Sequence, residues 1–139
     1  MNKTKKNKRK SYYVPVDKHK SHDSRQRLGV AGEDMACRYL EKKGMTVIGR
    51  NVRCSLGELD IIAIDGSKIV FIEVKSRKSL KYGRPSLALT KDKQRKVRQL
   101  ALCYLHEHKE YKSLAPRIDV IEIILGGDEP YINHIKAAF

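Results

Sequence analysis

The chain has 139 residues, with 30 Lys or Arg against 16 Asp or Glu and a net charge of +14. That length suits one domain around one core of aliphatics and Tyr, since Trp is absent and Phe occurs only twice. No apolar run is long enough to span a bilayer, no apolar signal segment follows the basic start, and Cys37, Cys54 and Cys103 form no paired spacing; a membrane span, a secretory signal and a disulfide framework are therefore not expected.

We read the three cysteines as reduced thiols in a cytoplasmic protein. The charge predicts a polyanionic partner, with nucleic acid ahead of the ribosome surface or an anionic membrane.

Residues 1–27 carry ten basic residues against Asp17 and Asp23, more than half of the net charge. Few of them can be buried, so the segment reads as a disordered tail. It is either a non-specific nucleic-acid arm or a solubilising extension. Leu28 to Lys43 reads as the first helix, with Leu28, Ala31, Met35, Ala36, Tyr39 and Leu40 near helical spacing and Gly44 to end it. Glu33 lies near its first turn, where an acid also suits the helix dipole.

A short strand from Met45 to Gly49 precedes a polar loop holding Arg50, Asn51 and Arg53. Two apolar runs then flank Asp65-Gly66, a strong hairpin signal. The strands are expected from about Glu58 to Ile64 and Lys68 to Lys75. Ser76 to Pro85 reads as a basic loop containing Arg77, either a phosphate-contacting flap or an ordinary solvated loop. Thr90 to His108 reads as a second helix capped by Thr90, with Val97, Leu100, Ala101, Tyr104 and Leu105 as its apolar stripe. Lys91, Lys93, Arg95, Lys96 and Arg98 crowd its first half, a basic face suited to a phosphate backbone. Arg117 to Leu125 returns as a strand, and Tyr131 to Ile135 reads as an edge strand or short extension. The order αβββαβ predicts an α/β fold on one mixed sheet flanked by helices, spanning residues 28–139.

The chemistry concentrates in the hairpin. Glu58 and Asp60 are two apart on one strand, Glu73 and Lys75 two apart on the next, and all four lie away from the turn. Regular alternation brings each pair to one face, so the carboxylates meet at one end of the sheet. Acids so placed repel, and a divalent cation relieves them; oxygen ligands suit Mg²⁺ or Mn²⁺. A neighbouring lysine supplies positive charge beside a phosphate or attacking water. This constellation suits metal-assisted phosphodiester hydrolysis. The plainer account makes all four strand-end residues in surface ion pairs.

The order of elements, an acid on the first helix, an acid opening the second strand and Glu73-x-Lys75 resemble the PD-(D/E)xK nuclease superfamily. Gly32-Glu33, Asn51-x-Arg53, Gly57-Glu58-Leu59-Asp60, Phe71 to Lys75 with Arg77, Tyr82-Gly83, Lys93-Gln94, Arg117 to Val120 and Ile135-Lys136-x-Ala138-Phe139 look like the YraN-like uncharacterised family, uncharacterised protein family 0102. Leu59 stands where the superfamily motif has proline. The resemblance implies a restriction-endonuclease-like core related to Holliday-junction resolvases. It makes Asp60 and Glu73 metal ligands, with Glu58 a further candidate, and gives Lys75 a role in placing water or stabilising charge. Glu33 becomes a further acid near the metal, and Lys93 and Gln94 approach from the second helix. Arg53, Arg77, Lys93, Gln94 and Lys96 are the candidate nucleic-acid contacts. The implied activity is a Mg²⁺- or Mn²⁺-dependent DNA endonuclease, on branched or single-stranded DNA, with DNA ahead of RNA and a homodimer as an expectation. The competing reading is a non-catalytic nucleic-acid-binding module on a nuclease scaffold.

Overall fold

The computed structural model describes residues 24–78 and 89–139. The expected tail up to residue 23, and residues 79–88 of the basic loop, lie outside them. Helix α1 spans Ser24–Lys42. It starts four residues ahead of Leu28 because Arg25, Gln26 and Arg27 favour helix without marking an apolar stripe. Strand β1 runs Thr46–Cys54, β2 Gly57–Asp65 and β3 Lys68–Arg77. Helix α2 spans Lys91–Glu107, a short 3-10 turn follows at Lys109–Tyr111, and β4 Ala115–Ile124 and β5 Tyr131–Ile135 close the sequence of elements.

The five strands form one sheet in the order β1-β2-β3-β4-β5. β3 and β4 are parallel and the other neighbours antiparallel. A parallel pair needs a crossover, which α2 supplies. β3 and β4 are covered on both faces, which is why their sequences read as nearly unbroken Ile and Val rather than alternating.

Each helix covers one face. On one, Ala36 and Leu40 of α1 pack with Met45, Ile61, Ala63, Val70, Ile72, Ile121 and Ile123. On the other, Val97, Leu100, Ala101 and Tyr104 of α2 pack with Leu59, Ile62, Ile69, Phe71 and Ile118. Burial of this aliphatic surface is the main stabilising term.

Local chemistry sets the element ends. Gly44, at φ 86°, terminates α1 in the left-handed region, and its N–H donates to Glu41 O at 3.0 Å. The Thr90 side chain accepts from Lys93 N, capping α2 as its sequence indicates. Asp65 pairs with Lys68, so the hairpin turn is Gly66-Ser67, one residue later than the Asp-Gly pair suggests, with Gly66 at φ 58°.

β1 is the largest departure from expectation. It continues through Arg50, Asn51 and Arg53, which read as a polar loop. Arg50 is buried against acids that come from α1, and that compensation is not local in sequence. Likewise Ser76 and Arg77 belong to β3 rather than to a loop. Among the described residues no helix is long and apolar enough to cross a membrane.

Candidate active site

The β2–β3 ladder stops at Ile61↔Ile72. Beyond it Asp60 and Glu73 would face each other across the ladder, but the strands have parted. The opened seam is filled by a side chain, since Val74 N donates to Asp60 Oδ2 at 2.9 Å. Alternation also breaks at Asp60. Leu59 packs in the α2 layer and Ile61 in the α1 layer, although regular residues two apart share a face. Asp60 therefore reaches the other acids through the seam rather than by simple pairing with Glu58 on one face.

Glu73 and Lys75 do share a face, because Val74 between them packs on the α1 side. Glu73 is only 6% exposed, and Lys93 Nζ of α2 lies 3.3 Å from its Oε2. Lys75, half-buried, stands in register with Glu122 of β4.

Glu33 reaches the group from α1. The helix sits on β3 at Gly32, where a Cβ would lie 1.7 Å from Ser76 Oγ. Any larger residue would push the helix off the strand, and glycine thus sets how close Glu33 comes to the seam. Glu33 forms an ion pair with Arg50 Nε at 3.5 Å, and the nearby Asn51 side chain favours its charged form. Arg50 also pairs with Asp34 and donates to Val30 O at 3.3 Å.

The electrostatics follow from burial and repulsion. Glu73 is pushed up to about 7, first by burial and then by the Asp60 charge, with Lys93 offsetting only part of this. Glu33 is raised by burial and then by Asp60, against the Asn51 side chain and Arg50. Asp60 is raised by burial despite the Val74 N–H and Lys93, with Glu58 adding to it. Three acids thus feel one another in a poorly hydrated place with too few cations.

In this arrangement no three His, Cys, Asp or Glu side chains among the described residues converge to hold one ion. The donor set nevertheless suits Mg²⁺ or Mn²⁺, which take one or two carboxylates and complete their shell with water and phosphate. Asp60 and Glu73 are the two acids that would hold such an ion; burial is the first cause of their raised carboxyls, and neighbouring acids add to it.

The other expected residues divide. Glu58 is at the rim, its side chain 42% exposed and paired with Arg53 Nε at 3.5 Å. Arg53 is open to solvent, and Lys96 is exposed with its stem over Gly57. Gln94 donates its amide to Leu89 O at 3.0 Å, in the turn that starts α2. Arg77 turns inward, its Nε 3.2 Å from Oε1 of Glu122. Glu122 is fully buried, and neither of its oxygens has a hydrogen-bond partner. The sequence reading missed Asp34 and Glu122, and it placed Arg50 in a loop. An acid inside an Ile-rich run was the available signal for Glu122.

Comparison with known proteins follows the same residues. The model of the uncharacterised protein family UPF0102 matches residues 32–123, from Gly32 through β4. This chain belongs to the UPF0102 family. A UPF0102 protein of Rhodococcus opacus is 47% identical over 113 residues, covering 81% of this chain and 95% of that relative. One from Geobacter sulfurreducens is 46% identical over 127 residues, 91% of this chain and 97% of its own. A third, from Caldanaerobacter subterraneus, is 38% identical over 119 residues, 84% and 97% of the two chains. The UPF0102 match begins at the glycine that seats α1 on β3 and takes in every acid of the cluster.

Proposed function

We propose that this UPF0102 protein is a divalent-metal-dependent DNA endonuclease with Asp60 and Glu73 as metal ligands. The observation that carries the reading is the mutually repelling trio of buried Glu73 and half-buried Glu33 and Asp60, with Lys75 on the face of Glu73. A protein retains uncompensated buried acids where something else answers their charge. The bound cation would supply Lewis-acid activation of water and of the scissile phosphate. Lys75, on the face of Glu73, places its ammonium beside the reacting phosphate and favours charge developing there. Glu33 orders water from the α1 side. Lys91, Lys93, Arg95 and Lys96 on the first turns of α2, with Arg53 at the rim, steer the phosphate backbone towards the seam. Lys93 is half-exposed, so it is free to leave Glu73 for a phosphate.

The substrate is DNA rather than RNA, with branched or single-stranded forms the first to try. Three free thiols suit the reducing cytoplasm. A panel of labelled duplex, single-stranded, flap and four-way DNAs, plus an RNA, tests this in Mn²⁺, Mg²⁺ and EDTA, with Asp60→Ala as the control. Metal-dependent cutting that the control lacks is the expected result, and cutting that survives Asp60→Ala overturns the assignment.

One observation favours a second reading. Lys93 already sits on Glu73, as an internal cation would in a module that only binds nucleic acid. Tight, salt-dependent binding with no cutting in any metal would select it.

A further inference from the structure

We propose that Arg77 and Glu122 form a fixed phosphate contact beside the proposed metal site: the buried Glu122 carboxylate tethers the guanidinium by its Nε, and the terminal nitrogens take a backbone phosphate next to the one that is cut. The inference rests on the reading above that this site takes a nucleic-acid backbone; it does not rest on the metal.

Glu122 is the observation that needs a cause. It stands in the run Val120-Ile121-Glu122-Ile123-Ile124, where the other four residues are buried apolar core. Its side chain is fully buried, and neither oxygen accepts a hydrogen bond. A carboxylate so placed costs stability that an isoleucine would not, and a strand that needed only packing there would carry an apolar side chain. The ion pair it makes is with Arg77, whose Nε lies 3.2 Å from Oε1.

The ladder fixes where this pair stands. β3 and β4 run in parallel register from Lys68↔Ala115 to Arg77↔Ile124, and Leu125 N donates to Arg77 O at 2.9 Å, so Arg77 has the backbone of a strand and not of a loop. Val74, Ile121 and Ile123 pack on the α1 side. Glu73, Lys75 and Arg77 alternate with Val74 and share the opposite face, with Glu122 beside Lys75 in the register. That face of β3 thus carries a row: a proposed metal ligand, a lysine and an arginine, with Arg77 about 13 Å along the strand from Glu73. The spacing suits a neighbouring phosphate of the same backbone rather than the one at the metal.

The guanidinium has two ends to offer. Nε is the nitrogen nearest the chain, so fastening it to a carboxylate draws the side chain against the sheet and leaves the fork of terminal nitrogens for a second partner. The Arg77 side chain is 34% exposed, whereas that of Glu122 has no exposed surface. The tether removes rotamer freedom before binding, so a phosphate meets an ordered donor. A lysine could not serve both partners in this way, because its ammonium is a single point charge. Arg50 is the contrast: its guanidinium is 8% exposed and is engaged by Glu33, Asp34 and Val30 O.

Three variants separate a phosphate contact from a structural ion pair. The readout is affinity for a labelled single-stranded DNA in EDTA over a salt series, with thermal midpoints alongside. Arg77→Gln combined with Glu122→Gln leaves the net charge unchanged and strands no buried charge. It should match or exceed the wild-type midpoint, bind roughly tenfold more weakly, and lower the slope of log affinity against log salt by about 0.7. Arg77→Lys keeps the charge and a partner for Glu122, yet should lose nearly as much affinity. Glu122→Gln adds one positive charge, which by itself would tighten binding; loss of the tether should instead weaken it by roughly threefold. Wild-type affinity in the double variant and in Arg77→Lys makes the pair purely structural and overturns the proposal, while the nucleic-acid reading stands. Tighter binding by Glu122→Gln overturns the part given to Glu122. A wild-type protein that binds no DNA removes the nucleic-acid reading and this proposal together. No metal is present, so cutting does not enter the comparison.

Discussion

Two acid clusters lie on this sheet, and they are built in opposite ways. Asp119 on β4 is fully buried, yet it is answered on every side. Arg117 donates to both of its oxygens at 2.9 Å, Ala137 N donates at 3.0 Å, and His134 Nε2 lies 2.8 Å away. Burial alone would raise its carboxyl, but the bonds to His134, Arg117 and the Ala137 N–H outweigh that and hold it below its ordinary value. Arg117 extends the network to Asp65 at 2.9 Å, and His134 Nδ1 extends it to the Tyr39 hydroxyl at 3.2 Å. The cluster ties β5, α1 and the hairpin turn to β4. One register step away, Glu73 of the neighbouring strand β3 belongs with Asp60 of β2 and Glu33 of α1, and all three are pushed upward. The residue types are the same, but the count of answering donors differs. One cluster favours its carboxylate; in the other, burial and neighbouring acids disfavour the charged forms.

The sharpest break in that comparison is catalytic. Asp60→Asn and Glu73→Gln should each lose more than the roughly 100-fold that removal of a supporting contact costs, while DNA binding holds or tightens. Gel-based cleavage and binding titrations read both, and undiminished cleavage by either variant would end the equation of charge shortage with function. Asp119→Ala should do the reverse. It strands Arg117 and His134 and should cost about 3 kcal/mol in chemical denaturation, with kcat per folded molecule unchanged.

Acidity sharpens the contrast next. Glu73 titrates near 7 in the fold, above its ordinary 4.5, so the folded chain holds a proton that the unfolded chain has released between those values. The stability this contributes is complete below pH 4.5 and is lost as pH rises through 7. In EDTA, urea midpoints should therefore fall between pH 5 and pH 8, by roughly 3 kcal/mol at most. Glu73→Gln should flatten this fall and leave the protein more stable than wild type at pH 8; Mn²⁺ should restore the wild type there. Asp119 acts in the other direction, contributing stability above its ordinary pKa that is lost as pH falls through its lowered value, so Asp119→Asn should weaken the protein most at neutral pH. The smallest effect belongs to the rim. Lys96→Ala should reduce the slope of log affinity for DNA against log salt by about one, without changing the pH profile.

Much of this was legible along the chain. The hairpin, both helices and the return strand announce themselves by period, by Asp-Gly and by Thr90, because these signals act within a few residues. Asp60, Glu73 and Lys75 stood out for the same reason, as charges two apart on adjacent strands. β1 was not, since a buried Arg50 looks polar until the acids of α1 are placed against it. Arg77, read as a phosphate contact, pairs with Glu122, which lies on the neighbouring strand β4 far along the sequence.

The sequence by itself determined the order of elements, the faces that become core and the supply of acids and bases for the site. Only the tertiary structure decided which cation answers which acid. Coulomb energy depends on distance and local hydration, and both are set where separate elements meet. Arg117 and His134 meet Asp119 and settle it, while Lys93 and Arg50 reach Glu73 and Glu33 and leave the trio short. That difference rests on how far β2 parts from β3 at Asp60, a geometry no stretch of the chain contains on its own.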